Sequence, residues 1–95
     1  MAAYVLADIT ILDPDVYEDY RRQVGAVIEK YGGRYLVRGG ASEVFEGGWR
    51  PNRLIVLEFP DMDALRRWYQ SDDYQALLRI RQSAARSNIV AVQGV

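Results

Sequence analysis

Val5, Ala7, Ile9 and Ile11 alternate with Tyr4, Leu6, Asp8 and Thr10, a period of two that predicts a strand with a second face only partly polar. Asp13-Pro14-Asp15 then opens a helix: the Asp13 side chain can cap free amides, Pro14 suits the first helical position, and Asp15 meets the positive end of the dipole. Val16, Tyr20, Val24, Val27, Ile28 and Tyr31 follow on one stripe at helical spacing, and Gly32-Gly33 supplies the left-handed residue that ends the helix. Arg34 to Arg38 predicts a second strand, interrupted at Gly39-Gly40 by a bulge or close backbone approach and resuming through Val44-Phe45-Glu46. Gly47-Gly48 marks a turn that Trp49-Arg50-Pro51-Asn52 widens into a loop. The nearly unbroken apolar run from Arg53 to Phe59 predicts a central strand covered on both faces, stopped by Pro60. Asp61 caps a second helix through Met62, Leu65, Trp68 and Tyr69. Ser71, Asp72 and Asp73 restart it with Tyr74, Leu77 and Leu78, as a separate helix or the far half of a kinked one. Ser87 to Gln93 is the last strand.

Strand, helix, strand, strand, helix, strand is an α+β order, the ferredoxin-like βαββαβ pattern with a four-stranded antiparallel-type sheet, both helices on one face. The first and third strands are expected as parallel neighbours in its middle. Parity assigns Val5, Ala7, Ile9, Ile55, Leu57, Phe59, Val90 and Val92 to the helix side, and Tyr4, Leu6, Asp8, Thr10, Leu54, Val56, Glu58, Ile89 and Ala91 to the bare side. So large an apolar patch is rarely left in water. A second copy is expected to cover it, two sheets face to face forming a homodimeric α+β barrel.

Composition narrows the chemistry. Ninety-five residues suit a single domain, residues 1–95, with a thin stability margin of its own. Without cysteine there is no disulfide or thiolate, and without histidine the usual ligand of zinc and haem and the usual neutral-pH base are missing. No cofactor and no metal are expected. Twelve basic against 13 acidic side chains give no footprint for nucleic acid, and strand three offers Leu54, Val56 and Glu58 where an RNA-binding sheet would offer stacking aromatics. The opening residues have no basic region and reach Asp8 early, so neither a signal peptide nor a membrane span is predicted and the expected location is the cytoplasm.

Proton transfer would then fall to a perturbed carboxylate or a tyrosine. On the parallel reading Asp8 and Glu58 sit close together at the C-terminal ends of neighbouring strands, and Arg38 falls roughly opposite Glu58. Such a cluster reads first as a structural charge set that survives burial by mutual pairing, and second as one that raises one carboxyl pKa or binds a ligand. Tyr4, Trp68, Tyr69 and Tyr74 read first as core aromatics.

Arg38-Gly39-Gly40, Glu46-Gly47-x-Trp49-x-Pro51-x-Arg53, Glu58-Phe59-Pro60, Trp68-Tyr69-x-Ser71-x-x-Tyr74 and Arg81 together make the chain resemble the family called domain of unknown function 1330, over essentially its whole length including Tyr31-Gly32-Gly33 and Gly94. The resemblance implies the dimeric α+β barrel superfamily. It points to Arg38, Glu58, Trp68, Ser71, Tyr74 and Arg81 as cleft residues, to which parity alone adds Asp8. The function expected is a homodimer that binds a small anionic or carbonyl-bearing organic molecule near Arg38 and Glu58. The alternatives are an enzyme resembling cofactor-free monooxygenases or isomerases, and a non-catalytic regulatory or structural dimer.

Overall fold

The computed structural model describes residues 1–95. Its elements are β1 (Ala3–Ile11), α1 (Pro14–Lys30), β2 (Arg34–Arg38), β3 (Leu54–Phe59), α2 (Met62–Gln70), α3 (Asp72–Ala84) and β4 (Ala85–Gln93). The fold is the α+β βαββαβ arrangement, with the second helical crossover made of two helices. The four strands form one sheet in the order β2-β3-β1-β4, and every adjacent pair is antiparallel.

Local chemistry sets the element ends. Asp13 accepts from the Val16 amide at 3.2 Å with Pro14 in the first turn. At the other end of α1 the Gly32 amide donates to the Glu29 carbonyl and the Gly33 amide to the Ile28 carbonyl, both at 3.0 Å, with Gly32 at φ 87°. This pair of bonds is the Schellman closure, and the left-handed residue it needs is supplied by glycine. Asp61 caps α2 through the Ala64 amide at 2.7 Å. Ser71 serves both neighbouring helices: its hydroxyl donates to the Trp68 carbonyl at 2.7 Å and accepts from the Tyr74 amide at 3.1 Å. The α2–α3 junction is therefore a break between two helices, and Ser71 fixes their angle.

Val5, Ala7, Ile9, Ile55, Leu57 and Phe59 of the two central strands are buried under the helices, as their parity predicts. Tyr17, Tyr20, Val24 and Ile28 of α1 and Leu65, Trp68, Tyr74, Leu77 and Leu78 of α2 and α3 complete the core. At one end Phe59 stacks near Trp68 at 5.3 Å between ring centroids, and Trp68 near Tyr74 at 4.2 Å.

Three expectations are corrected. β1 and β3 are antiparallel rather than parallel, because β3 returns from β2 by a hairpin connection and so runs opposite to both β2 and β1. β4 has the opposite parity: Ile89 lies across from Ala7 and packs on the core, whereas Val90 pairs with Leu6 and Val92 with Tyr4 on the open face. The run Ile89-Val90-Ala91-Val92 is apolar at every position, so its alternation could not fix the register, and a slip of one residue exchanges the faces. Finally, β2 ends at Arg38 and does not resume at Val44–Glu46; a bulge lies between Tyr35 and Val37, not at the glycine pair. Gly39 instead turns out of the strand at φ 68°, its amide bonded to the Leu54 carbonyl at 2.7 Å, with the Arg53 side chain where a Cβ would stand.

The open face carries Leu6, Val56, Val90 and Val92, with Leu6 42% and Val90 58% exposed. No helix of the structure is long and apolar enough to cross a membrane.

Candidate functional site

The antiparallel register separates the two carboxylates on which the sequence reading centred. Glu58 lies opposite Tyr4 and Asp8 opposite Leu54, four register steps apart, or about 13 Å along the strands. Each has its own partners. Arg34, not Arg38, is across from Glu58 and reaches its Oε1 from Nε at 2.8 Å and from Nη2 at 2.7 Å. The hydrogen bond to Glu58 also raises the Tyr4 hydroxyl above its ordinary pKa. Asp8 accepts from the Trp49 indole at 2.9 Å and from the Asn52 amide at 3.0 Å, and Asn52 Nδ2 donates to Thr10 Oγ1 at 2.8 Å. The Trp49 bond, then the Asn52 amide, hold the Asp8 carboxyl below its ordinary pKa. The two carboxylates thus form no shared proton-transfer site, and Asp8 instead clasps the β2–β3 loop to the open face.

On the other face, between the sheet and α1 and α3, lies a cavity of about 40 Å³, room for a few atoms beyond a single water. Its walls are Val5, Ala7, Ile9, Val24, Ile28, Ile55, Leu57 and Ile89, with the rings of Tyr17, Tyr20, Tyr35, Trp68 and Tyr74. Arg21, Arg38, Arg53 and Arg81 bring charge to it, and no carboxylate lines it. Arg21 is engaged with Glu18 at 2.6 Å, but Arg38, Arg53 and Arg81 form no ion pair. They are graded in depth. Arg38 is exposed, with its guanidinium over the Tyr35 ring at 4.4 Å from the centroid; Arg53 is half-buried; Arg81 is only 4% exposed.

A lone buried guanidinium is costly unless other groups replace its water. Here the Tyr20 and Tyr74 hydroxyls share a hydrogen bond at 2.9 Å, and burial, which works against the Arg81 charge, is outweighed by the Tyr74 and Tyr20 oxygens, leaving its pKa above the ordinary Arg value. Burial pushes the Tyr20 hydroxyl far above its ordinary pKa, with Tyr74 adding to the shift, and burial likewise raises Tyr17 and Tyr35. At neutral pH the cavity therefore presents guanidinium cations and neutral Tyr17, Tyr20 and Tyr35. Three buried nitrogen donors on its lining, Trp68 Nε1, Arg81 Nε and Arg53 Nε, have no acceptor within hydrogen-bond distance.

A family model described as a domain of unknown function, DUF1330, matches residues 2–95. The chain belongs to the DUF1330 family. No curated protein sequence matches it. Solved structures do. A protein of unknown function from Rhodopseudomonas palustris has a TM-score of 0.81 at 18% identity, covering 99% of this chain and 82% of that one. A dimeric ferredoxin-like protein of unknown function from Jannaschia sp. has a TM-score of 0.72 at 14% identity, covering 99% and 100%. SnoaB, a cofactor-independent oxygenase from Streptomyces nogalater, has a TM-score of 0.64 at 14% identity, covering 99% and 92%. At these identities the likeness is one of fold.

In this DUF1330 chain the structure gathers four of the seven candidate residues, Arg38, Trp68, Tyr74 and Arg81, around the one cavity. Ser71 stands behind them as the shared helix cap, and Asp8 and Glu58 lie on the opposite face of the sheet. Arg53, Tyr17 and Tyr35 belong to the cavity as well and were missed. The parity that turns Ile55, Leu57 and Phe59 inward extends back to Arg53, and Tyr17 precedes Tyr20, Val24 and Ile28 at helical spacing. Both signals were present in the sequence.

Proposed function

We propose that this protein is a homodimer that binds a small organic anion in the cavity between its sheet and helices. The observation that carries the reading is the convergence of the Arg38, Arg53 and Arg81 guanidinium groups on a cavity with no carboxylate in its lining. Outside the cavity, Arg22, Lys30, Arg34 and Arg66 have acidic partners, and the unpaired Arg50, Arg67, Arg79 and Arg86 are exposed to water. A guanidinium offers paired donors suited to carboxylate or phosphate oxygens, and apolar walls around it strengthen that attraction. The cavity's phenols favour binding over acid–base catalysis, because Tyr17, Tyr20 and Tyr35 are displaced away from neutrality rather than toward it.

The homodimer is supported by the open-face strip of Leu6, Val56, Val90 and Val92 and by the Jannaschia protein of the same fold, which is dimeric. Sedimentation at micromolar concentration is expected to give twice the 10.9 kDa chain mass, and a monomer would overturn the dimer. Binding is tested by calorimetry with formate, acetate and inorganic phosphate, the two carboxylates compared with formamide and acetamide. Anions are expected to bind at least about tenfold more tightly than amides, and to lose that preference in Arg53→Met. Equal binding of acid and amide overturns the anion reading.

A further inference from the structure

Trp68 and Arg81 share a feature that the arginine count leaves unused. Trp68 is 3% and Arg81 4% exposed, both line the cavity, and the Trp68 Nε1 and Arg81 Nε donors are without an acceptor. Buried nitrogen donors are seldom left unpaired, because each forfeits its hydrogen bond to water. Nearby, the Tyr20–Tyr74 pair uses one hydroxyl proton between its two oxygens and keeps the other to donate.

We propose that the anion is a small monocarboxylate, seated acid end inward against Trp68 Nε1 and Arg81 Nε with its apolar body against Val24, Leu57 and the Tyr35 ring. This deepens the anion-binding reading and rests on it. A carboxylate's two oxygens answer the two orphaned donors, and its single charge balances the one guanidinium that is fully buried. A phosphate in the same place would present four oxygens to these two unpaired donors, and the oxygens left over would lie against apolar walls away from water. Arg38 at the exposed end then draws the anion in, and Arg53 is intermediate in burial.

The chain has two tryptophans, and the Trp49 indole is already bonded to Asp8, so the indole N–H resonances separate the two sites. Formate and acetate, titrated into the ¹⁵N-labelled protein, are expected to move the Trp68 indole resonance downfield and leave that of Trp49 in place. Arg81→Lys, which keeps the charge but not Nε, is expected to weaken acetate by about tenfold while Arg38→Met weakens it only a few-fold. If the carboxylates bind by calorimetry and the Trp68 resonance stays still, or if phosphate binds as tightly as acetate, the inward monocarboxylate is overturned while the anion-binding reading stands. If no anion is preferred to its amide, both fall. The wild-type titration decides the point even if Arg81→Lys fails to fold.

Discussion

The two faces of the sheet use charge in opposite ways. On the open face each carboxylate has partners: Glu58 has Arg34 and Tyr4, and Asp8 has Trp49 and Asn52. On the helix face Arg38, Arg53 and Arg81 have no carboxylate at all, although Arg81 is among the most deeply buried residues of the chain. Exposed ion pairs contribute little to stability, about 0–1 kcal/mol, and their charges are settled within the chain. A buried charge without a counter-ion costs far more and persists where something outside the chain supplies the counter-charge. The difference teaches that polarity on a sheet is informative only together with its pairing: on the mixed-charge face the carboxylates are matched within the chain, and the face carrying one sign of charge is where ligand binding is proposed.

The comparison can be broken most severely by truncating the helix face. Tyr74→Ala removes the ring packed 4.2 Å from Trp68 and the hydroxyl bonded to Tyr20, and is expected to cost about 3–5 kcal/mol in chemical denaturation. Leu6→Asp on the open face is expected to spare the subunit's helical circular dichroism and shift sedimentation from dimer to monomer; an unaltered dimer would mean that the subunits meet elsewhere. Smaller still is Glu58→Gln, which loses the Arg34 pair and should change stability by no more than about 1 kcal/mol and anion affinity not at all. An affinity change there would reunite the two faces.

Alkaline pH sharpens the contrast further. Unfolding returns Tyr20 to the ordinary tyrosine pKa near 10, so above pH about 10 the unfolded chain holds fewer protons than the folded one, and stability falls as pH rises. Tyr20→Phe should reduce the slope of that decline between pH 9 and 11, followed by the urea midpoint, and leave the part due to Tyr17 and Tyr35. Asp8 has the opposite sign. Its lowered pKa stabilises above the ordinary carboxylate range and ceases to do so as pH falls through the folded value, which Trp49 emission in a Trp68→Phe background would report.

Element order, the helix caps at Asp13, Asp61 and Ser71, and the inward positions of β1 and β3 were legible because each has a strong local cause: a capping oxygen, a proline, a clean alternation. Strand direction has no such local mark. Taking β1 and β3 as parallel joined Asp8 to Glu58 and drew attention to the open face, whereas the hairpin between β2 and β3, followed consistently, sets them apart. Arg38 was recognised, but it stands across from Ile55, three residues from the expected Glu58, since strand two was carried on through Gly39-Gly40 to Glu46. Arg53 stands in the sequence as the first residue of a strand and the last of a family motif, without being assigned to a cleft. Its side chain became significant once the neighbouring helix was known to bring Tyr17 beside it.

The Asp8 clasp also divides the long β2–β3 connection into two mechanical parts. Trp49 and Asn52 are tied down, and the Arg53 carbonyl accepts from the Ile9 amide at 2.9 Å, so the cavity arginine is attached to chain that is already anchored. Gly40, Gly47 and Gly48, before the first anchor, have open space around them. Added length at Gly47-Gly48 enters as slack upstream of the tie, at a loop-closure cost of about 0.6 kcal/mol for each doubling. It is a natural splice point for a reporter or affinity tag, one that lengthens the connection without pulling on Arg53.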